Sequence, residues 1–414
     1  MGEKIEIDLE CPKEDDCFTI CYTSGTTNAP KGAVLLHRSA IVSISACFKM
    51  DKYNGLSFNQ ITLSYLPLAH IYERSLCYHF LSNGFAIAIY NGDNLKLIED
   101  IQIVKPTFLG CVPRILTKMY DNIMKGSSDL SKMKKWIFNK AVNSKITNFQ
   151  ANGQIQHYLY DKLVFNTIKE KFGGHLENIF SGSAPLDKNI LIFLKIALGC
   201  RIAEGYGQTE ALAFVTVDEH TNKKIGSIGC PIPCNELTIM SVPEMNYLAN
   251  ASKPQGELCI RGPNVMNRYF QMPKETAEAI DNQGWLHSGD IIEANENGTF
   301  NIIDRKKNIF KLSQGEYIAP EKLELIYSRI PLISQIFVYG DSLKNYCVSI
   351  IVPELSAIEK LAKENQIQYS KVEDLILDPK IKQLILDEMK LCGKKSNLNS
   401  LELIQKIHFT LKPF

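Results

Sequence analysis

Eleven residues, YTSGTTNAPKG (Tyr22 to Gly32), bring together the hydroxyls of Thr23, Ser24, Thr26 and Thr27, the glycines Gly25 and Gly32, and the amine of Lys31. Hydroxyl donors, backbone amides opened by glycine and a mobile cation are the groups that can hold a triphosphate tail. A Ser/Thr-rich hairpin turn has the same composition, so the stretch alone supports either reading. The segments on both sides, FTICYT and GAVLLHR, are β-rich, so the loop joins two strands. In the GxxxxGK[ST] phosphate loop a strand feeds a helix instead, and that signature does not apply.

A second constellation is EGYGQTE (Glu204 to Glu210), which follows the β-like run CRIAE. Tyr206 between Gly205 and Gly207 offers a flat ring beside pliable backbone, an arrangement that suits a purine. Thr209 can donate to a phosphate oxygen, and Glu210 can supply an oxygen ligand to a hard cation such as magnesium; a glycine-containing turn is the plain alternative. The third constellation runs through DNQGWLHSGD to IIDRKKNIFKLSQGEYIAPEK (Asp281 to Lys322). There Asp290 can accept from a pair of ribose hydroxyls, and Arg305 can donate to the same sugar or to a phosphate. A solvated charged loop would account for DRKK by itself.

These groups must be positioned by an α/β scaffold. The 414 residues exceed what one hydrophobic core usually holds, so two or three domains are expected. Strand-like TLSYLPL, FAIAIYN and TFLGCVP alternate with helical segments near 39–50, 113–124 and 156–171, as in a sheet with crossover helices. From about 225 to 303, short β runs (ELTIM, GELCIRG, TFNIID) separated by Gly, Pro and Asn predict a small β-rich subdomain. After about 305, IFVYGD and NYCVSIIVPE precede helices. In DPKIKQLILDEMKLCG, Asp378 is placed to cap, Pro379 to open the helix, and Ile381, Leu384, Ile385 and Met389 to face a core, with Gly393 as the stop. GSSDLSKMKK (126–135) reads as a solvated surface loop.

Composition narrows the function classes. With 46 basic and 45 acidic residues there is no field to steer a polyanion, and nucleic acid is not an expected partner. Twelve scattered cysteines predict reduced thiols in a cytoplasmic setting rather than a disulfide framework. CPIPC (Cys230 to Cys234) lacks the second pair or the histidines of a zinc site. No run of eighteen apolar residues occurs, and NILIFLKIALG is interrupted by Lys195, so no membrane span is expected.

YTSGTTNAPKG, SGSAPL, EGYGQTE, GWLHSGD and IIDRKKNIFKLSQGEYIAPEK occur in the order found in adenylate-forming enzymes, which the chain resembles over nearly its whole length. YLPLAHIYER, GCPIPCNELTI, GPNV and GEYIAPEK resemble the long-chain acyl-CoA synthetase branch. The resemblance implies the adenylate-forming fold: a partial large N-terminal domain, residues 1–303, with an α/β sheet and the β-rich subdomain of 225–303, then a partial small α+β C-terminal domain, 304–414. It implies a two-step ligase in which a fatty acid carboxylate attacks the α-phosphate of magnesium-ATP and the thiol of coenzyme A then displaces AMP.

By the same resemblance, Thr23 to Gly32 would hold the β- and γ-phosphates. Ser183, Ala184, Pro185 and Tyr206 would bracket adenine, with Glu204, Gly205, Gly207 and Gln208 in the same nucleotide site. Thr209 would touch the α-phosphate, Glu210 would be the magnesium-linked carboxylate, and Asp290 and Arg305 would bind ribose. Asp304 would be the hinge, followed by Lys307 and Lys311, and His70 would line the entrance to the acyl site. Relative to the family, about twenty residues precede the phosphate loop here, and the chain ends before a C-terminal lysine that reaches the substrate carboxylate. Loss of that ammonium is expected to impair adenylation by about 3 kcal/mol or more, which favours a nucleotide-binding remnant as the alternative reading; a ligase for another carboxylic acid is a third, since the acyl pocket cannot be argued from these residues. Membrane association is expected only of a longer form. Asn28, Ser288 and Arg268 depart from the family pattern, and Arg268, where glycine is usual, is expected to alter a local turn.

Overall fold

The computed structural model describes residues 11–23, 30–54, 60–93, 95–218 and 225–414. Ser24, Gly25, Thr26, Thr27 and Asn28 lie outside the described residues. Contacts divide the chain into two compact units: Met1–Met240 with Leu258–Ser288 and Ala294–Asn301, and Ser241–Glu257 with Gly289–Glu293 and Ile302–Phe414.

The first unit opens with strands β1 (Cys17–Thr23) and β2 (Lys31–Leu36), antiparallel with Thr23 opposite Lys31, as the alternating β-rich runs predict. Helix α1 (His37–Asn54) follows directly. The chain then alternates: β3 (Ile61–Ser64), α2 (Ile71–Ser82), β4 (Ala86–Ile89), α3 (Leu97–Val104), β5 (Phe108–Cys111), α4 (Pro113–Ser128) and α5 (Lys132–Asn152). Short helices α6 (Tyr158–Tyr160) and α7 (Asn166–Glu170) flank a π-helical turn, Asp161–Phe165. Next come β6 (Asn178–Ser181), α8 (Lys188–Leu198) and β7 (Arg201–Tyr206). The two-residue strands β8 (Thr216–Val217) and β9 (Cys230–Pro231) complete a seven-stranded sheet of order β4-β3-β5-β6-β7-β8-β9. Its first five strands are parallel.

Period-two alternation gives this sheet two buried faces. Leu109, Ile179 and Ile202 join Leu116 and Met119 of α4 and Leu191 and Leu194 of α8 in one core. Neighbouring Phe108 and Phe180 turn the other way, where Phe108 meets Phe80 of α2 at 4.9 Å between ring centroids and Phe180 meets Tyr72 at 6.1 Å. Helices on both faces of a parallel sheet are what near-continuous apolar strands require. The segment 126–135 departs from expectation: Gly126–Ser128 ends α4 and Lys132 begins α5, leaving only Asp129–Ser131 between them. Most of its residues are exposed, with Ser127 buried and Leu130 half-buried, but one helix hands over to the next, and the polarity belongs to a solvated helical surface rather than to a loop.

Among the described residues, those from 225 to 303 are strand-rich, with β10 (Glu236–Met240), β11 (Gln255–Arg261), β12 (Arg268–Tyr269), the short helix α9 (Pro273–Ala279), β13 (Leu286–Ala294) and β14 (Phe300–Arg305). β12 pairs with β2, Arg268 opposite Val34 and Tyr269 opposite Ala33. Arg268 is therefore an exposed strand residue whose side chain donates to Asn267 Oδ1, and the altered turn expected there is not found; the left-handed residue falls at Gln271 (φ 55°).

In the second unit, the two-stranded ladder β15 (Phe310–Lys311) and β16 (Tyr317–Ile318) precedes α10 (Pro320–Tyr327). Strands β17 (Ile333–Tyr339) and β18 (Cys347–Pro353), helices α11 (Leu355–Glu364) and α12 (Pro379–Lys395), and β19 (Ile404–Phe409) complete it, with sheet order β17-β18-β19. Asp378 Oδ1 accepts from the amides of Lys380 and Ile381, capping α12 as expected, and Ile381, Ile385 and Met389 are wholly buried. Each such side chain contributes about 1.5–3 kcal/mol by leaving water. Gly393 does not stop this helix, which continues to Lys395. A Cβ at 393 would sit 2.6 Å from Leu403 Cδ2 and 2.9 Å from the Tyr327 hydroxyl, so the glycine is there for close packing.

Candidate functional site

Because β3, β5, β6 and β7 are parallel, the segments that follow them leave one edge of the sheet, the carboxyl edge, where open α/β sheets bind ligands. Ser183, Ala184 and Pro185 follow β6 and are exposed, with Ser183 in the left-handed region at φ 76°. His70 follows β3, is exposed, and occupies the cap position of α2 without a side-chain cap bond. EGYGQTE spans the end of β7. Ser181 of β6 lies opposite Glu204 of β7 in the ladder, so SGSAPL and EGYGQTE emerge side by side.

The glycines of EGYGQTE have a structural duty. A Cβ at Gly207 would lie 1.3 Å from the Ala213 carbonyl oxygen, and one at Gly205 would lie 2.3 Å from the Phe180 ring. The backbone closes on itself: Thr209–Ala211 form a 3-10 turn, Leu212 and Ala213 take left-handed φ of 53° and 74°, and β8 returns antiparallel to β7. Tyr206 is 8% exposed, so its ring is largely enclosed rather than an open platform. Gln208 Nε2 is buried and has no hydrogen-bond partner among the described residues. An orphaned buried donor costs about 1–3 kcal/mol, and a ligand acceptor would remove that cost. Glu204 Oε2 is likewise buried and unpartnered; burial and the nearby Asp218 push its carboxyl up to about 7, against the opposing pull of Lys195.

The residue that gathers the site is Tyr269. Its hydroxyl donates to Glu210 Oε1 at 2.7 Å, and the Glu210 carbonyl accepts from the Met266 amide at 2.7 Å. Lys31 Nζ stands 5.2 Å from the centroid of the same ring. The Phe270 amide donates to the Gly32 carbonyl at 2.7 Å, and Thr23 Oγ1 donates to the Lys31 carbonyl at 3.3 Å. Tyr269 thus joins the base of the Tyr22–Gly32 loop to the carboxylate that closes EGYGQTE. Burial, then Glu210, raise its phenol well above the usual tyrosine range, so it stays a donor. Sequence reasoning passed over Tyr269; an aromatic two residues past the GPNVMN stretch was its only signal.

On the other face of the sheet from the α4/α8 core, a cavity of about 70 Å³ is lined by Leu76, Phe80, Phe108, Phe180 and Phe214, with His79, Gln60 and Asn178 as polar members. The sequence singled out His70 nine residues earlier, not His79, which is buried.

In the second unit, Arg305 Nε approaches Asp290 Oδ1 at 3.6 Å, so the two residues assigned to ribose do lie together. Asp304 is fully buried and accepts from the amides of Arg305 (2.6 Å) and Glu321 (2.9 Å), which ties it to the first turn of α10. Burial and the Glu321 carboxylate push Asp304 up to about 7. Lys307 is exposed; Lys311 Nζ lies 5.1 Å over the Tyr317 ring across β15 and β16. Lys306 pairs with Glu257 at 3.2 Å, an anchor between residues 49 positions apart that no local motif marks.

The parallel sheet carries glycine-closed turns and a held carboxylate on its carboxyl edge, and the model of the AMP-binding enzyme family matches residues 3–270. The chain belongs to that family. Long chain acyl-CoA synthetase 6, peroxisomal, of Arabidopsis thaliana is 38% identical over 404 residues, 97% of this chain and 57% of that protein. Long-chain-fatty-acid–CoA ligase 1 of Homo sapiens is 39% identical over 403 residues, with the same two shares. The chain therefore spans a little over half the length of these curated relatives. Among solved structures, the adenylation domain of a carboxylate reductase from Mycobacterium chelonae aligns with a TM-score of 0.75 at 26% identity, over 97% of this chain and 56% of that one. No described helix is long and apolar enough to cross a membrane.

Proposed function

We propose that the chain serves ATP-dependent activation of a long-chain fatty acid to its acyl-CoA through an acyl-adenylate. The observation that carries this reading is 38–39% identity, sustained over 97% of the chain, to proteins named for that activity. In the first step a fatty acid carboxylate oxygen bonds to the α-phosphorus and the bond to pyrophosphate breaks. In the second, the coenzyme A sulfur bonds to the acyl carbon and AMP leaves. Both steps develop charge on phosphate or carbonyl oxygens, which preorganised donors stabilise.

In this reading Thr23, Lys31 and Gly32 receive the outer phosphates together with Ser24 to Thr27. Thr209 donates to the α-phosphate, and the Gln208 amide meets a nucleotide acceptor. Ser183 to Pro185 border the base with Tyr206. Glu210, oriented by Tyr269, is the protein oxygen ligand for the magnesium ion that accompanies ATP, an ion that neutralises phosphate charge. The donor set fits: magnesium takes one or two carboxylates and fills its remaining positions with phosphate oxygens and water. Asp290 and Arg305 hold ribose, Asp304 is the hinge between the adenylating and thioester-forming arrangements, and Lys307 and Lys311 move with it. His70 borders the acyl entrance.

Fatty-acid-dependent exchange of pyrophosphate into ATP tests the reading. Exchange that exceeds a Glu210→Ala control and requires a long-chain acid supports it. Nucleotide binding without exchange would make the chain a binding remnant, and exchange only with short or aromatic acids would move it to another carboxylate.

A further inference from the structure

Helix α5 (Lys132–Asn152) has a face that the nucleotide chemistry leaves unused. Its 21 residues, KMKKWIFNKAVNSKITNFQAN, contain five lysines and no acidic residue, in a chain whose total charge is only +1. Phe138, Ala141, Lys145 and Phe149 point inward, spaced as one helical face. Lys145 is fully buried, donating to Asp161 Oδ1 at 2.5 Å and to the Ile196 carbonyl at 2.6 Å. Lys132, Trp136 and Lys140, four residues apart, therefore line the opposite side, with Met133 beside them. Trp136 is 62% exposed and Met133 74% exposed. The Lys140 ammonium lies 5.0 Å from the Trp136 ring centroid, and Lys132, Lys134 and Lys135 are all exposed.

A single exposed apolar ring is ordinary on a protein surface; the surroundings of Trp136 are what set it apart. Here it projects from the first turns of the helix, inside a cluster of cations whose nearest acid in sequence is Asp129. Aromatic rings with one apolar body and one polar tip settle at the headgroup level of a bilayer. Lysines flanking them keep their ammonium groups in water while their stems lie along the apolar zone. A nucleic acid would use the lysines and gain little from Met133. A neighbouring protein helix would more often meet a mixed charge pattern than one without a single acid.

We propose that the amino-terminal turns of α5, through Trp136 and Met133 flanked by Lys132, Lys135 and Lys140, form a docking face for an anionic lipid surface. The face is amphipathic and interfacial rather than membrane-spanning. It rests on α5 alone and does not depend on the ligase reading.

The sequence holds two tryptophans, and Trp285 stacks against Arg261 at 4.3 Å, so Trp285→Phe leaves Trp136 as the sole indole reporter. Vesicles of phosphatidylcholine, with and without phosphatidylserine, are titrated into this 414-residue variant. Expected are co-sedimentation and a blue shift of Trp136 emission only with phosphatidylserine, weakening as salt rises. Each reversal Lys132→Glu, Lys135→Glu or Lys140→Glu should weaken binding by about fivefold or more. Trp136→Ala, followed by sedimentation in the native background, should weaken it roughly tenfold. All of these positions are exposed, and thermal melts of the variants check that the fold is kept. The proposal is overturned by absence of binding to either vesicle, or by vesicle binding indifferent to Trp136→Ala and the reversals. It is also overturned if Trp136 is already blue-shifted without lipid in a concentration-dependent dimer. Equal affinity for heparin, independent of Trp136, would overturn it as well.

Discussion

Removing one oxygen atom, by Tyr269→Phe, separates the positioning of Glu210 from everything else in the site. The ring keeps its place, since Tyr269 is only 7% exposed and pairs through its backbone with Ala33, and Lys31 keeps its seat over the ring. What is lost is the 2.7 Å hydrogen bond to Glu210 Oε1. A hydrogen bond to a charged acceptor contributes about 1.5–3 kcal/mol. If that energy orients the carboxylate toward magnesium-ATP, kcat/KM for the nucleotide in pyrophosphate exchange falls by roughly 10- to 100-fold. The magnesium dependence should shift to higher concentration. Fold stability should change by about 1 kcal/mol or less, because water can reach the partly exposed carboxylate. The raised phenol pKa adds a further constraint: Tyr269 stays protonated beyond the ordinary tyrosine range, so the wild-type activity should show no alkaline limb from this group below pH 10. Exchange within twofold of wild type, at unchanged magnesium dependence, would refute the assignment of Tyr269 as the residue that holds Glu210.

Glu324, which accepts from the Val338 amide at 2.8 Å, is pushed by burial up to about 7. The folded chain thus binds its proton more tightly than the unfolded chain. The resulting stabilisation is full below about pH 4.5 and is lost as pH rises through 7, and solvent screening of this half-buried group holds it to about 1–2 kcal/mol. Glu324→Gln keeps the acceptor and should flatten the melting temperature between pH 5 and 7.5; an unchanged slope counts against the burial argument. Gly393→Ala sets a helix-propensity gain of about 1 kcal/mol against overpacking of about 1–3 kcal/mol, with the fully buried Tyr327 unable to retreat. A lower melting temperature is expected, and a higher one would show that the α12 groove has room. Lys145→Ala strands Asp161 beside only the His157 amide and a distant Lys169, and should cost about 3–5 kcal/mol in urea unfolding. The pair Lys145→Met with Asp161→Leu should recover most of that loss.

Local chemistry was legible in the sequence. The β1–β2 hairpin, the capped start of α12 by Asp378 and Pro379, and the alternation that builds the parallel sheet all follow from patterns within a dozen residues. The candidate site was legible as motifs, and the sheet order brings SGSAPL next to EGYGQTE without any help from the loops. What lay outside reach was contact at long range. Tyr269 meets Glu210 across 59 residues, because a two-residue strand pairs with β2, and no period marks so short an element. Gly393 looked like a helix stop because glycine ends helices more often than it lets two helices and a strand crowd together. Residues 126–135 looked like a loop because their polarity was read without the helical face that Phe138 and Ala141 begin.

The close approach at Gly207 has a consequence for how this family's signature should be weighed. The atom that forbids a side chain there is the carbonyl oxygen of Ala213, not its methyl group. No replacement at position 213 can make room, and a search for second-site suppressors of Gly207→Ala within this turn should return none. Selection on Gly207 is then enforced by main-chain geometry whether or not a nucleotide is ever bound. A descendant that had lost its chemistry would keep this glycine as long as it kept its sheet. Evidence for a living active site should therefore be sought at Gln208, whose buried side-chain amide satisfies no partner among the described residues.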